Sequence, residues 1–121
     1  MKTDNIIAEK SFNFALEIIK LYKKLIEKNE YVISKQLLKS GTSIGANVEE
    51  ASAGQTKKDF ITKMCIASKE ARETKYWLRL LQKSKFLDKD YNVYINEIDE
   101  IIRILTSIVK TAQENYANKL N

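Results

Sequence analysis

The residues whose types and spacing suggest chemistry most directly are cations in the second half of the chain. Between Gln55 and Lys85, nine basic residues stand against three acidic ones, a net charge of +6, whereas the whole 121-residue chain carries +5. At about 100° per helical residue, five of these cations share one face and Lys75 lies at its edge. The five are Lys58, Lys69, Arg72, Arg79 and Lys83. A row of cations on a rigid helix can bind a phosphate backbone, because each neutralised phosphate releases a counterion.

These six residues are therefore candidates for nucleic-acid binding, although an ordinary solvated face has the same composition. Tyr76 lies within the same face and suits either stacking on a base or contact with another subunit. Ile61 and Cys65 lie nearby and also suit a subunit contact. The pattern alone leaves open whether this face binds a nucleic acid or a protein.

Paired carboxylates offer a second kind of chemistry, general acid–base catalysis. Glu49, Glu50 and Glu73 are of the right type, but nothing in the sequence raises their pKa or positions a substrate. The chain has no histidine, and Cys65 is its one cysteine. This composition excludes the usual Cys/His zinc site, a Ser-His or Cys-His nucleophile pair and an intrachain disulfide. We therefore expect no enzyme activity, no catalytic residue, no metal site and no cofactor.

A polar seam accompanies the apolar residues of the helix that we predict around residues 31–53. Its candidate members are Ser40, Ser43, Asn47, Glu50 and, from the following helix, Glu73. A partly buried asparagine needs hydrogen-bond partners and can fix helix register, which favours a structural network over catalysis. Gly41 and Gly45 lie within the same helix, where each costs about 1 kcal/mol of helix propensity. Their use there indicates close approach by a neighbouring helix or another subunit.

Four stretches of helical periodicity must position these side chains. Apolar residues recur at helical spacing over about residues 4–28, 31–53, 57–84 and 89–116, with no proline in the chain. Every connection is short, so neighbouring helices should be antiparallel. We predict an all-α fold, a single domain over residues 1–121 that forms an antiparallel up-down-up-down four-helix bundle.

Capping residues predict where these helices begin and end. We expect Thr56 with Asp59 to cap the third helix, Gly54 to end the second, Asp88 to cap the fourth and the tail from Ala117 to fray.

No apolar run approaches the roughly 20 residues of a membrane span. Charged residues interrupt the N-terminus too soon for a signal-peptide core, so we expect a cytoplasmic protein.

Two runs of residues resemble a known family. The first is Ser43-Ile44-Gly45-Ala46-Asn47-Val48-Glu49-Glu50-Ala51, and the second is Ile66-Ala67-Ser68-Lys69-Glu70-Ala71-Arg72-Glu73-Thr74-Lys75-Tyr76-Trp77-Leu78. Together they resemble the bacterial four-helix-bundle family encoded within intervening sequences of 23S ribosomal RNA genes, also called S23 ribosomal proteins. Two departures stand out: Ala51 replaces the usual glycine, and the basic residues before the first run are reduced to Lys39. The second departure weakens any nucleic-acid site at that end of the second helix.

The resemblance implies an up-down-up-down bundle that assembles as a ring, typically a homopentamer. The chain is also similar to the accessory variability determinant of diversity-generating retroelements, a basic pentameric barrel that binds nucleic acid and a reverse transcriptase. The resemblance brings no catalytic residues with it. A reverse transcriptase or another acidic protein is accordingly a candidate partner, beside RNA, DNA and the chain itself.

We therefore expect a non-enzymatic homo-oligomer that binds RNA or DNA through the basic face of its third helix. The alternative is a protein-interaction scaffold without a nucleic-acid role, in which that face docks a partner or the next subunit.

Overall fold

The computed structural model describes the backbone of residues 2–120 and the side chains of residues 5–119. It contains four α-helices: α1 (Lys2–Glu27), α2 (Ile33–Ser52), α3 (Lys57–Lys83) and α4 (Asn92–Leu120). Each helix packs on the next, and α4 returns to contact α1, whereas no Cα atoms of the described parts of α1 and α3 come within 8 Å of each other. With short connections at 28–32, 53–56 and 84–91, this arrangement is an antiparallel up-down-up-down four-helix bundle. The predicted fold class is confirmed, and α1 and α3 lie diagonally across the core.

The core is built from one apolar stripe on each helix. In α1 the fully buried side chains include Ile7, Phe14, Ile18, Leu21 and Leu25. Their spacing of three or four residues keeps them on one side of the helix, so burying them accounts for its position. Within residues 2–120, no helix is both long enough and apolar enough to cross a membrane.

The start of α2 depends on a side chain that the sequence analysis overlooked. The Glu30 carboxylate accepts hydrogen bonds from the backbone N–H groups of Ile33 (2.9 Å) and Ser34 (2.6 Å). Burial of this carboxylate opposes its ionisation, but these bonds hold the pKa of Glu30 below its ordinary value. The helix therefore begins at Ile33 rather than at residue 31.

The ends of α3 and α4 confirm one predicted cap and correct two other expectations. Thr56 caps α3 as predicted, because its hydroxyl accepts the N–H of Asp59 at 3.0 Å. Helix α4 begins at Asn92, where Asp90 rather than Asp88 accepts the backbone N–H at 2.9 Å. Helix α4 also extends beyond its predicted end at residue 116, because it continues to Leu120.

Tyr91 anchors the connection between α3 and α4. Its buried ring lies in the core, and its hydroxyl donates to the Phe86 carbonyl at 2.6 Å. Burial, with smaller contributions from Tyr94 and Glu30, raises the pKa of Tyr91 to about 12. Lys85 and Leu87 in the same connection adopt left-handed backbone conformations, with φ of 56° and 65°. The buried tyrosine thus holds a sharply turned segment against the core.

Candidate nucleic-acid interface on α3

Helix α3 divides cleanly into an inner stripe and an outer face. Its inner stripe consists of the buried side chains Met64, Ala67, Ala71, Thr74, Leu78 and Leu81. All five cations that the sequence places on the opposite side are exposed. We call them the basic face: Lys58, Lys69, Arg72, Arg79 and Lys83. The structure therefore brings the predicted cations to one side of one helix, in contact with solvent.

Most of the basic face is free to bind an anion. Among residues 5–119, no carboxylate oxygen lies within 4.0 Å of the charged nitrogens of Lys58, Lys69, Arg79 or Lys83. From Lys69 to Lys83 the helix rises about 21 Å, which corresponds to about six base-pair steps of a duplex at roughly 3.4 Å each. A phosphate backbone laid along α3 would meet several cations without displacing an existing ion pair.

Two of the predicted residues are turned toward α4 instead. Lys75 makes an ion pair with Asp99, Nζ to Oδ1 2.7 Å, which neutralises its charge within the subunit. The Arg72 guanidinium donates to the Thr106 hydroxyl at 3.3 Å but keeps its charge unpaired among the described carboxylates. Lys75 therefore lies at the edge of the face, as its helical angle indicates, and Arg72 remains available.

An aromatic side chain interrupts the basic face. Tyr76 is 53% exposed, and its ring meets Trp77 edge to face with the centroids 5.1 Å apart. Trp77 in turn donates its indole N–H to the Glu73 carboxylate at 3.3 Å. Ile61 and Cys65 are half-buried nearby. The exposed Tyr76 ring offers a stacking surface between cations, which is a feature of single-strand binding sites.

The predicted polar seam forms only one buried link between helices. The hydroxyls of Ser40 and Thr74 are both buried and lie 2.9 Å apart, joining α2 to α3. Asn47 and Ser43 instead bond to backbone carbonyls of α2, at 2.8 Å and 2.6 Å. Thr74 was not among the predicted members, because its helical angle places it with the buried apolar residues of α3. The sequence signal for this contact was a single hydroxyl side chain within an otherwise apolar stripe, because a buried hydroxyl needs a hydrogen-bond partner.

The two carboxylates assigned to that seam lie at the surface. Glu50 pairs with Lys63 of α3, Oε2 to Nζ 3.0 Å, so it links the two helices from outside. Glu73 is exposed and bonds to Trp77 of its own helix. Its neighbour Glu70 has a pKa above the ordinary value, because of partial burial and the nearby Glu73 charge. The structure therefore does not join Glu50 and Glu73 in one network.

The glycines of α2 serve the contact with α1. A Cβ atom on Gly45 would lie 3.3 Å from the Ser11 hydroxyl oxygen and 3.5 Å from the Ser11 carbonyl. A Cβ atom on Gly41 would lie 3.0 Å from Ile18. The sequence left open whether a neighbouring helix or another subunit approaches these glycines, and in the structure the close neighbour is α1 of the same chain.

Further positive charge gathers at the first turn of α3. Lys57 lies against Lys119 of α4, and the Lys119 ammonium lowers the pKa of Lys57, because it donates a hydrogen bond to the neutral amine and repels a second positive charge. A cleft of about 670 Å³ opens beside them, between Thr56, Phe60, Thr111 and Asn115. It contains none of the six predicted cations, so it is separate from the basic face.

Comparisons with known proteins agree with the resemblance of the two motifs. The family model described as 23S rRNA-intervening sequence protein matches residues 3–107. A solved crystal structure from Bacteroides thetaiotaomicron, of a protein with unknown function from the S23 ribosomal protein family, is similar with a TM-score of 0.86 and 48% sequence identity. The match covers 89% of this chain and 98% of that one. No curated protein matches the chain.

Proposed function

Because this chain belongs to the 23S rRNA-intervening sequence protein family, we propose that it is a non-enzymatic homo-oligomer that binds RNA or DNA through the basic face of α3. The observation that carries the proposal is the set of five exposed cations on one helix, none of which has a carboxylate partner among the described residues. Electrostatic contact with phosphates supplies most of the affinity in sequence-independent binding. The exposed ring of Tyr76 adds a surface on which an unpaired base can stack.

Assembly strengthens such a weakly charged surface. We propose a ring of five subunits, the number that the family resemblance implies. Five chains of +5 each carry about +25, and symmetry repeats the same face around the ring, so that one nucleic acid meets several copies. Light scattering should then give five times the mass of the 14.0 kDa chain.

A matched pair of double variants tests the binding site. The variant Lys69→Gln/Arg79→Gln removes two charges from the basic face, whereas Lys24→Gln/Lys35→Gln removes two charges from exposed positions on α1 and α2. Each phosphate contact contributes about 0.9 to the slope of log K against log salt concentration. Fluorescence anisotropy with a structured RNA should show the slope reduced by about 2 for the first variant. The second variant should leave it unchanged.

Two results would overturn the proposal. One is an affinity for RNA and DNA that is absent at low salt or indifferent to salt. The other is an equal loss in both double variants, which would mean that net charge rather than this face carries the binding.

A second candidate function is docking of an acidic protein on the same face. The observation that favours it is the apolar component, since exposed Tyr76 and half-buried Ile61 and Cys65 accompany the cations. Aromatic residues and arginine are enriched at protein interfaces. Tyr76→Ser should then abolish partner binding while the salt-dependent affinity for duplex RNA remains.

A further inference from the structure

Helix α1 carries a second apolar stripe that the bundle does not use fully. The core stripe is Ile7, Ser11, Phe14, Ile18, Leu21 and Leu25. The second stripe has the same spacing, with each member one residue after its counterpart in the core stripe: Ala8, Phe12, Ala15, Ile19, Tyr22 and Ile26. Alternating steps of four and three residues are the a/d pattern of a coiled-coil seam. A shift of one residue turns this second seam by about 100° away from the core.

The second stripe is only partly covered by its own chain. Phe12 is 58% exposed, and Leu16, which borders the stripe, is 45% exposed. The other five members are half-buried. Phe12 and Leu16 lie one helical turn apart, and exposed apolar side chains along a stripe of coiled-coil spacing indicate a surface that a further helix covers.

We propose that this outer face of α1 binds the same face of a second copy of the chain, with the two α1 helices antiparallel about a two-fold axis. In the antiparallel register that sets Ala15 of one copy opposite Ile19 of the other, Ala8 lies opposite Ile26 and Phe12 opposite Tyr22. Two of these three layers pair a small side chain with a large one. Layers of this kind interdigitate, because the small residue leaves room for the large one.

Charges beside the stripe select the antiparallel direction. Glu9, Leu16 and Lys23 follow one another at intervals of seven residues, so they form one row along the outer edge of the stripe. Glu9 and Lys23 are exposed, and among residues 5–119 neither has an ion-pair partner. Antiparallel pairing sets Glu9 of one copy near Lys23 of the other, twice by symmetry, and Leu16 near its own counterpart at the axis. A parallel pairing sets like charges beside each other, which is unfavourable.

This contact goes beyond the proposed function. A ring closes through two different faces of each subunit, whereas a two-fold contact joins a face to itself. Since α1 and α3 are diagonal in the bundle, pairing through α1 leaves the basic face of α3 uncovered. The pair can therefore exist with or without a ring, and with or without bound nucleic acid.

Cross-linking of the full chain tests the geometry. In a Cys65→Ser background, Leu16→Cys places one thiol next to the two-fold axis, and a short bismaleimide should link two chains efficiently. Two control variants carry a thiol elsewhere on α1. In Phe12→Cys the two thiols lie about 15 Å apart along the paired helices, and in Glu17→Cys the thiol points about 100° away from Leu16. Both controls should yield little linked product.

A charge exchange tests the direction of pairing independently. Glu9→Lys and Lys23→Glu should each weaken self-association in sedimentation equilibrium, and the double variant should restore it. Equal linking of all three thiol variants, no linking of Leu16→Cys, or no rescue by the double variant would overturn the inference. A five-fold assembly that binds RNA without Leu16→Cys linking would overturn it and leave the proposed function intact. Linked pairs without affinity for RNA would support the α1 contact and overturn the proposed nucleic-acid binding.

Discussion

The outer faces of α1 and α3 differ although both helices bury a similar apolar stripe. Outside its core stripe, α1 presents Phe12 and Leu16, which are 58% and 45% exposed. Helix α3 presents cations with a single exposed aromatic ring, Tyr76. The two helices are diagonal in the bundle, so these surfaces face opposite directions. One bundle therefore offers an apolar side suited to a helix and a basic side suited to an anion.

The difference also extends to the interior. The core stripe of α3 includes the buried Thr74, bonded to Ser40 of α2. The core stripe of α1 includes Ser11, whose hydroxyl bonds to the Ala8 carbonyl of its own helix at 3.2 Å. A hydroxyl that bonds within its own helix does not specify a neighbour, whereas one that bonds across helices does. Inside the core, the position of α3 is thus set partly by a polar contact, whereas the core stripe of α1 acts through apolar packing.

The largest expected effect separates the two stripes of α1. Ile18→Ala should lower the free energy of unfolding by about 2–5 kcal/mol, because it empties a fully buried site. Ile19→Ala, one residue on, should cost about 1 kcal/mol, because half-buried Ile19 loses less contact area. Urea denaturation at low protein concentration measures both. Equal costs would show that the second stripe belongs to the core, and the contrast between the outer faces would disappear.

A smaller effect is expected for the buried polar contact between α2 and α3. Thr74→Val should destabilise the chain by about 1–2 kcal/mol, because the buried Ser40 hydroxyl loses its partner across the helices. Adding Ser40→Ala should recover part of that loss, since both polar groups are then removed. Thr62→Val is the control: its hydroxyl is exposed and bonds to the Lys58 carbonyl of the same helix at 2.9 Å. If Thr62→Val costs as much as Thr74→Val, the contact with Ser40 contributes nothing particular.

The sequence was sufficient for the features that depend on periodicity. Regular spacing of large apolar residues predicts four helices and the side on which each is buried, since burial follows directly from helical angle. The same angle places Lys69, Arg79 and Lys83 on the outside. The cap of α3 was also predictable, because Thr56 and Asp59 are a local signal.

Features that depend on the relative position of two helices were not predictable in this way. Nothing near Lys75 in the sequence indicates that Asp99 pairs with it, because the partner is supplied by α4. Glu73 was expected to reach α2 but bonds to Trp77 four residues away, since an exposed side chain takes the nearest donor. The Glu30 cap was missed because a glutamate three residues before the helix resembles an ordinary loop residue.

The smallest expected effect compares how α1 and α3 are tied to α4. Lys10 of α1 pairs with Glu100, Nζ to Oε1 2.8 Å, and Lys75 of α3 pairs with Asp99 at 2.7 Å. Lys10→Gln and Lys75→Gln should each cost less than Thr74→Val, because partly exposed ion pairs contribute little and are screened by salt. Urea denaturation at low and high salt measures both, and a cost above that of Thr74→Val at high salt would contradict this.

The pH dependence makes the comparison sharper for α1. The hydrogen bond with Glu100 raises the pKa of Lys10, and the same contact holds the pKa of Glu100 below its ordinary value of 4.5. The carboxylate's contribution is therefore present above pH 4.5 and lost as the pH falls through its lowered pKa. The ammonium's contribution is present below pH 10.5 and lost as the pH rises through its raised pKa. Wild type and Lys10→Gln should consequently differ most between pH 4.5 and pH 10.5, and they should converge as the pH falls through the lowered pKa of Glu100 or rises through the raised pKa of Lys10. A difference that stays constant through both titrations would show that Lys10 acts through packing on α4 rather than through its charge.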